Sequence, residues 1–328
     1  MAGSKGIRLV ELDETGVDLA FRADVLAGLS QAQKAIPARW LYDDAGSQLF
    51  EDITQLPEYY PTRAETEILR DRCDEFARHV PPGSAVVEFG SGSSVKTPIL
   101  LECIAPGAYV PLDISGDFLR SSAAALSAKF PGLPVHPVEA DFMRRVELPE
   151  QVADLPKLGF FPGSTIGNMV ARTAVDLLRT MRETLGEGAL LLIGMDLIKD
   201  PAVLEAAYDD AAGVTAEFNY NLVRRINREL NGNIPLDALK HEARWDDDYA
   251  RIEMHLVARR DVSFSVSGSK FSMRAGDSIH TENSHKFDRR TSATLLLAGG
   301  WTPRERWLDS EGRFSLILAE ASVVRAAP

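Results

Sequence analysis

The chain has 328 residues, of which 45% are apolar and 26% charged. At roughly 150 residues per domain, this length predicts about two domains with a conventional core, and it excludes a disulfide-stapled mini-protein or a wholly disordered chain. Acidic residues (48) outnumber lysine plus arginine (36), and the resulting net charge of −12 argues against nucleic acid or anionic membranes as partners.

Cysteine use and the first residues of the chain favour a cytoplasmic protein. Cys73 and Cys103 are the only cysteines, too few for a secreted disulfide scaffold or a four-thiolate zinc site. The N-terminal sequence lacks the apolar core of a signal peptide, and apolar runs such as 189–193 are too short to cross a membrane. We therefore expect a cytoplasmic monomer that binds neither membranes nor nucleic acid.

Short apolar runs alternate with longer helical stretches in the first two thirds of the chain. The pattern predicts strands over 85–89, 109–112, 135–138, 158–161 and 189–194, and helices over 66–79, 96–104, 118–130 and 173–185. Strand and helix in alternation are typical of a parallel sheet covered by helices on both faces.

The pattern changes after Asp196. Helices are predicted over 201–208 and 215–230, then antiparallel strands over 250–258 and 262–266, and finally a helix from 289 with apolar runs over 299–308 and 314–319. The sequence thus predicts an α/β fold: a Rossmann-like domain with a mostly parallel sheet (64–196 and 287–328) and an inserted α+β domain (197–286) that includes residues 1–63.

The segment VVEFGSGSSVK contains a glycine-rich turn directly after the first strand of the predicted sheet. Gly90 and Gly92 carry no Cβ, so the backbone can turn tightly and approach a ligand closely. Asp113 follows 23 positions after Gly90, where a carboxylate at the end of the second strand binds ribose hydroxyls. A nucleoside-type cofactor is indicated, although an ordinary tight turn has the same glycine pattern.

Two residues favour S-adenosylmethionine over a dinucleotide. Val95 occupies the sixth position of the turn, where dinucleotide-binding folds need a small residue. Glu88 lies two residues before Gly90, where class I methyltransferases carry an acidic residue near the cationic amino-acid part of their cofactor. A nicotinamide-dependent oxidoreductase remains the alternative from a different class.

Later strand ends add polar groups at the same edge of the predicted sheet. Asp141 and Phe142 follow the third strand, where an acid can bind an adenine amino group and a ring can cover the base. A helix cap beside a core phenylalanine explains this pair equally well. The segment FFPGSTIGN follows the fourth strand and ends on Asn168, and ligands of open parallel sheets bind at these carboxyl ends.

Seven separated motifs resemble one known family over nearly the whole chain. They are RWLYDDAGSQLF, LPEYYPTR, VEFGSGSSVKT, GSTIGN, AYDDAAGVTAEFN, RIEM and TENSHKF. The chain is similar to the histidine-specific Nα-methyltransferases of ergothioneine biosynthesis. The resemblance implies S-adenosylmethionine-dependent trimethylation of the α-amino group of L-histidine to hercynine.

The resemblance also implies roles for individual positions. The residues expected to bind the cofactor are Tyr42, Gly90, Lys96, Asp113, Asp141 and Phe142, together with Glu88 and Gly92 of the glycine turn. Asn168 and Tyr208 are expected to bind the amino and carboxylate groups of the amino acid, with Gly163 alongside. Tyr59, Glu282 and Ser284 are expected to bind the imidazole, and Met254 to line the same pocket. Tyr42, Asn168 and Tyr208 are the predicted catalytic residues, because they can orient the amine lone pair.

The residue types suit this chemistry. Glu282 and Ser284 are two positions apart, so on an extended segment both side chains project to one side, whereas Asn283 and His285 alternate away. A carboxylate accepts a hydrogen bond from an imidazole N–H, which a lysine or leucine side chain does not offer in the same place. The plain alternative is a glutamate and a serine on the surface of a strand.

Methyl transfer from a sulfonium needs alignment and exclusion of water rather than a metal. The six histidines show no H-E-x-x-H motif and no i, i+4 pair, so no metal site is expected. His280 and His285 flank the predicted imidazole site. The open alternatives are methyl transfer to another amino acid or small amine, and a catalytically silent regulator that binds the cofactor.

Overall fold

The computed structural model describes residues 12–14, 16–92, 96–114 and 116–322. Ser93, Ser94 and Val95 of the glycine turn lie outside these residues, as does the N-terminal segment 1–11. The chain divides into two compact units. Unit 1 comprises the described residues of Met1–Tyr60 and Lys199–His285, and unit 2 those of Pro61–Ile198 and Lys286–Pro328.

The elements are given in chain order. The α-helices among the described residues are α1 (Leu19–Leu29), α2 (Asp44–Thr54), α3 (Pro61–Asp71), α4 (Cys73–His79), α5 (Thr97–Ile104), α6 (Gly116–Lys129), α7 (Ala171–Leu185), α8 (Pro201–Tyr208), α9 (Val214–Glu229) and α10 (Arg289–Ala298). The strands are β1 (Lys34–Ala35), β2 (Ala85–Phe89), β3 (Ala108–Asp113), β4 (Val138–Glu139), β5 (Lys157–Phe161), β6 (Leu190–Asp196), β7 (Leu239–Asp246), β8 (Arg251–Ala258), β9 (Val262–Val266), β10 (Ser269–Met273), β11 (Ser278–His285), β12 (Trp301–Leu308) and β13 (Phe314–Ala321). Short 3₁₀ helices span Ala38–Leu41, Glu150–Val152, Thr165–Asn168 and Leu236–Ala238.

Unit 2 is built on a seven-stranded sheet with the order β12-β13-β6-β5-β2-β3-β4. The strands from β2 to β6 pair in parallel, whereas β13 runs antiparallel to β6 and β12 antiparallel to β13. Successive residues of β2 pack into two different hydrophobic cores: Ala85 and Val87 pack in one, and Val86 packs in the other. A sheet buried on both faces explains the continuous apolar runs in its strands, and it confirms the predicted α/β class.

Unit 1 contains a four-stranded sheet with the order β1-β11-β8-β7 and a separate β9-β10 hairpin. β8 is antiparallel to both β11 and β7, whereas β1 pairs in parallel with β11. Helix α9 buries Phe218, Leu222 and Ile226 in the core that also contains Met254 and Leu256. The four-residue spacing of these apolar side chains places them on one face of the helix.

The helix predicted over 66–79 is two helices in the structure. α3 begins at Pro61, and proline is favoured in the first turn because its missing N–H has no helical partner there. Arg72 departs from helical geometry (φ −110°, ψ 14°) and separates α3 from α4. Polarity patterns continue across such a break, which is why the sequence does not reveal it.

Helices α4 and α5 are joined by a disulfide between Cys73 and Cys103, whose Cα atoms lie 5.1 Å apart. The cysteine count gave no reason to expect this bond, since it favoured a reducing compartment. Among the described residues, no helix is both long and apolar enough to span a membrane.

Candidate active site

The glycine turn of unit 2 lies against the ring of Phe142. Gly90 (φ 76°) and Gly92 (φ 36°) both have left-handed conformations that favour glycine. A Cβ on Gly90 would come within 3.3 Å of Phe142 Cε1. The ring of Phe142 also packs edge-on against Phe89, with centroids 6.3 Å apart. Thus the turn and the predicted base-covering ring are neighbours.

Two carboxylates lie at the ends of the neighbouring strands. Asp113 is the last residue of β3, and its Oδ2 accepts a 3.3 Å hydrogen bond from the Gly92 N–H. Asp141 Oδ1 accepts a 3.0 Å bond from the Met143 N–H, a local turn contact of the kind aspartate favours. Asp113 is therefore hydrogen-bonded directly to the glycine turn, next to which it was predicted to bind ribose hydroxyls.

Glu88 is buried beneath the turn and bound by hydroxyl groups. Thr97 Oγ1 lies 2.9 and 2.8 Å from its two carboxylate oxygens, and the Tyr109 hydroxyl donates to Oε2 at 2.5 Å. Desolvation outweighs these contacts and raises the pKa of Glu88 from 4.5 to about 7. Both oxygens thus accept hydrogen bonds from hydroxyl groups inside unit 2. A direct contact between Glu88 and a cofactor stays a prediction.

Replacing Glu88 by glutamine is expected to change how stability depends on pH. Because folding raises the pKa from 4.5 to about 7, the carboxyl group penalises the folded state increasingly as pH rises through that window. We expect Glu88→Gln to gain stability relative to the unmodified chain by up to about 3 kcal/mol between about pH 5 and pH 8. Urea unfolding at several pH values measures the difference, and a pH-independent difference would contradict the assignment.

A buried carboxylate that the sequence did not reveal joins two of the predicted site residues. Glu65 on α3 is fully buried, and its Oε2 accepts a 2.6 Å hydrogen bond from Lys96 Nζ. The same oxygen accepts a 2.9 Å bond from the Gly163 N–H. A Cβ on Gly194 would lie 2.5 Å from Glu65 Oε1. Glu65 therefore brings Lys96 and Gly163 together, and the glycine at 194 makes room for it.

The GSTIGN segment that contains Asn168 is anchored to strand β6. Asn168 ends the 3₁₀ helix Thr165–Asn168, which follows Ser164 in a left-handed conformation (φ 59°). Ser164 Oγ accepts a 2.9 Å bond from the Asp196 N–H, and Asp196 pairs with the fully buried Lys286 at 2.8 Å. These contacts hold the segment at the carboxyl end of the parallel strands.

Unit 1 contains an aromatic cluster formed by Tyr42, Phe50, Tyr59, Tyr208 and Phe218. Tyr42 lies 5.3 Å from Phe218 and 5.6 Å from Phe50, measured between ring centroids. Phe50 lies 6.1 Å from Tyr59, which in turn lies 6.2 Å from Tyr208. These edge-on geometries are favourable for aromatic rings. The three predicted tyrosines of unit 1 thus belong to one cluster, completed by two phenylalanines that the sequence did not single out.

Strand β11 supplies the polar groups of this cluster. The Tyr208 hydroxyl and Ser284 Oγ share a 2.7 Å hydrogen bond. Ser284 and Glu282 are both buried, with 3% and 7% of their surface exposed. This burial argues against the plain alternative of a glutamate and a serine on a strand surface.

A β-bulge in β11 determines which side chains face the aromatic cluster. His280 pairs with His255, but Glu282 pairs with Met254, so Thr281 is an extra residue. Directly paired residues project from the same face of a sheet. Glu282 therefore shares the face of the buried Met254, whereas His280 lies on the opposite face with His255.

The phenol of Tyr42 remains protonated. Tyr42 is 38% exposed as a residue, but desolvation at its hydroxyl end raises the pKa of Tyr42 above its ordinary value, and the nearby negative charge of Glu282 raises it further. The hydroxyl can thus donate or accept a hydrogen bond, but it is not a source of phenolate.

A comparison with protein-family models finds a match over residues 21–321 to the family described as histidine-specific methyltransferase, SAM-dependent. The chain belongs to this family. A histidine N-alpha-methyltransferase of Mycolicibacterium smegmatis is 41% identical over 92% of this chain and 94% of its own length. That of Mycobacterium tuberculosis is 39% identical over 94% and 97%. The ergothioneine biosynthesis protein 1 of Neurospora crassa is 27% identical over 91% of this chain but only 35% of its own length.

Membership in the family agrees with S-adenosylmethionine as the cofactor and argues against the nicotinamide alternative. Within unit 2, the structure brings Gly90 beside Phe142, Gly92 beside Asp113, and Lys96 beside Gly163. Within unit 1, it groups Tyr42, Tyr59, Tyr208, Met254, Glu282 and Ser284. Glu65, Phe50 and Phe218 were missed, and only the phenylalanines carried a signal, since each lies inside one of the seven motifs.

Proposed function

We propose that this protein transfers three methyl groups in succession to the α-amino group of L-histidine and forms hercynine, a step of ergothioneine biosynthesis. The observation that carries the proposal is the buried pair Glu282 and Ser284 beside a cluster of tyrosines. A buried carboxylate accepts a hydrogen bond from an imidazole N–H, and the aromatic rings can pack on the imidazole faces. An acceptor without an N–H at this place cannot donate this hydrogen bond to the carboxylate and should bind more weakly.

The residues of unit 2 suit S-adenosylmethionine. The Cβ-free turn at Gly90 and Gly92 lets the backbone approach a ligand, Asp113 can accept from ribose hydroxyls, and Phe142 can cover an adenine ring. When bound, the sulfonium supplies an already activated methyl group. We also assign hydrogen bonds to the cofactor to Tyr42, Lys96, Asp141 and Glu88.

The chain's own contribution is orientation and exclusion of water. The α-amine, with a reference pKa of about 8, must be neutral to attack. We assign the orientation of its lone pair to Tyr42, Asn168 and Tyr208, with Gly163 beside the carboxylate. Tyr59 and Met254 line the imidazole pocket with apolar surface. Tyr42 acts here as a neutral hydrogen-bonding group, because its pKa is raised well above the ordinary value.

Mass spectrometry of reaction mixtures tests this function. Purified protein with S-adenosylmethionine is given L-histidine or, in parallel, each other amino acid. We expect mass gains of one, two and three methyl groups on histidine alone. Methylation of another amino acid instead supports the alternative acceptor, and cofactor binding without any methylated product supports the silent regulator. Either result rejects the proposal.

Replacing Asp113 by alanine is expected to affect the cofactor selectively. The variant loses a carboxylate that accepts from ribose hydroxyls, and one charge-assisted hydrogen bond corresponds to about a tenfold change or more. We expect the KM for S-adenosylmethionine to rise by about this factor while the KM for histidine changes much less. Asp113→Asn is the matched control, because it keeps an acceptor for the Gly92 N–H. Equal rises in both KM values would contradict the assignment.

A further inference from the structure

Three potential metal ligands meet on the face of the unit 1 sheet opposite Glu282. Glu253 and His255 are two residues apart on β8, and His280 lies directly across from His255 on β11. One ligand atom from each of the three side chains lies within 4.8 Å of the other two. His255 is 4% exposed, whereas Glu253 and His280 are only partly buried. The cluster is therefore largely enclosed but can be reached from solvent.

Each imidazole has one nitrogen held by a protein group outside the three-residue cluster. His280 Nε2 lies 3.0 Å from the backbone oxygen of Glu282, and His255 Nδ1 lies 3.1 Å from Ser278 Oγ. Metal-binding histidines make such contacts with the nitrogen that does not bind the ion, which orients the ring. His255 Nε2 lies 2.9 Å from Glu253 Oε2, so a cation can replace the hydrogen shared by these atoms.

Glu253 presents one oxygen to the histidines and one to an arginine. The Arg251 guanidinium donates to Glu253 Oε1, with Nε at 2.9 Å, so Oε2 remains directed at His255. This arrangement supplies a monodentate carboxylate beside two imidazoles. Such a mixed set of nitrogen and oxygen donors suits a borderline divalent ion such as Zn²⁺.

We propose that Glu253, His255 and His280 form a binding site for a divalent transition-metal ion, with Zn²⁺ as the best fit and water as a fourth ligand. The two rings are stacked, with centroids 4.8 Å apart. Ligand atoms around tetrahedral zinc lie roughly 3.4 Å apart, whereas the three ligand atoms here lie within 4.8 Å of one another, so the most distant pair must close by up to about 1.4 Å. Rotation of the partly exposed His280 side chain would bring its ligand nitrogen closer to the other two ligand atoms. The ion would join β8 to β11 behind the face that carries Glu282.

Equilibrium dialysis of untagged protein with Zn²⁺ tests the site, followed by metal analysis of the protein. L-histidine is left out because it chelates zinc. We expect one tightly held ion per chain, a Tm raised by a few degrees, and visible tetrahedral bands when Co²⁺ replaces Zn²⁺. His280→Gln and Glu253→Gln should weaken binding by about 100-fold and about tenfold, respectively. His136→Gln, a histidine of unit 2, is the control and should bind as the unmodified chain does.

Two results would overturn the proposal. One is the absence of saturable Zn²⁺ binding by the unmodified chain. The other is unchanged affinity in both His280→Gln and Glu253→Gln, which would place any bound ion elsewhere. His255→Gln is less suitable as a first variant because His255 is buried, so far-UV circular dichroism must accompany it.

Discussion

Replacing Glu282 by alanine is expected to raise the KM for histidine by about tenfold or more and to leave the KM for S-adenosylmethionine nearly unchanged. The carboxylate is buried beside the aromatic cluster, shares the face of Met254, and raises the pKa of Tyr42. A charge-assisted hydrogen bond in such a place contributes about 1.5 to 3 kcal/mol. Its loss should therefore weaken the recognition of the imidazole and of little else.

Initial-rate kinetics with each substrate varied in turn measure this effect. Glu282→Gln retains a carbonyl acceptor and should give a smaller rise than alanine. The matched control is Glu242→Gln, since Glu242 pairs with His255 and so projects from the other face of the same sheet. Discrimination against amino acids without an imidazole should also fall in Glu282→Ala. A parallel loss of affinity for both substrates would mean that Glu282 supports the fold rather than the acceptor.

Replacing Glu65 by alanine is expected to destabilise unit 2 by about 3 to 5 kcal/mol. The substitution leaves the Lys96 ammonium group, whose side chain is 12% exposed, without its carboxylate. It also removes the acceptor of the Gly163 N–H. Burial makes the lost pairing costly, because an unpaired charge is not resolvated by water. The expected result is a fall in Tm by roughly 10 °C together with weaker binding of S-adenosylmethionine.

A double variant separates the two effects of Glu65. Glu65→Leu combined with Lys96→Met replaces the ion pair by apolar side chains, which often restores stability. We expect this variant to recover most of the Tm but not the affinity for S-adenosylmethionine, as followed by isothermal titration calorimetry. Glu67→Gln on the same helix serves as the control for a change of charge alone. A Tm loss below about 2 °C in Glu65→Ala would show that the buried pair is not a major contributor.

The sequence predicted best those features that depend on neighbouring residues. The strand over 85–89 coincides with β2, and the glycine turn follows it as expected. The helix over 201–208 coincides with α8, where Asp200 caps the first turn and Pro201 begins the helix. Local signals of this kind depend on steric and hydrogen-bonding rules that act within a few residues.

Some features that depend on distant parts of the chain were not predicted. Glu65 is separated from Lys96 by 31 residues and from Gly163 by 98, and no local pattern links the three. The pairing of His255 with His280 likewise depends on strand register, which spacing along the chain does not show. A search for metal motifs by sequence spacing therefore passes over the two histidines.

The extra residue at Thr281 affects how sequences of different length should be compared. Deleting Thr281 would leave the pairs His280–His255 and Glu282–Met254 in place, because the shortened strand would then alternate regularly. Deleting Asn283 instead would turn Ser284 away from Tyr208, since every later side chain would change sides. An alignment gap at position 281 is therefore compatible with the proposed acceptor pocket, whereas a gap at position 283 would indicate a different arrangement of side chains.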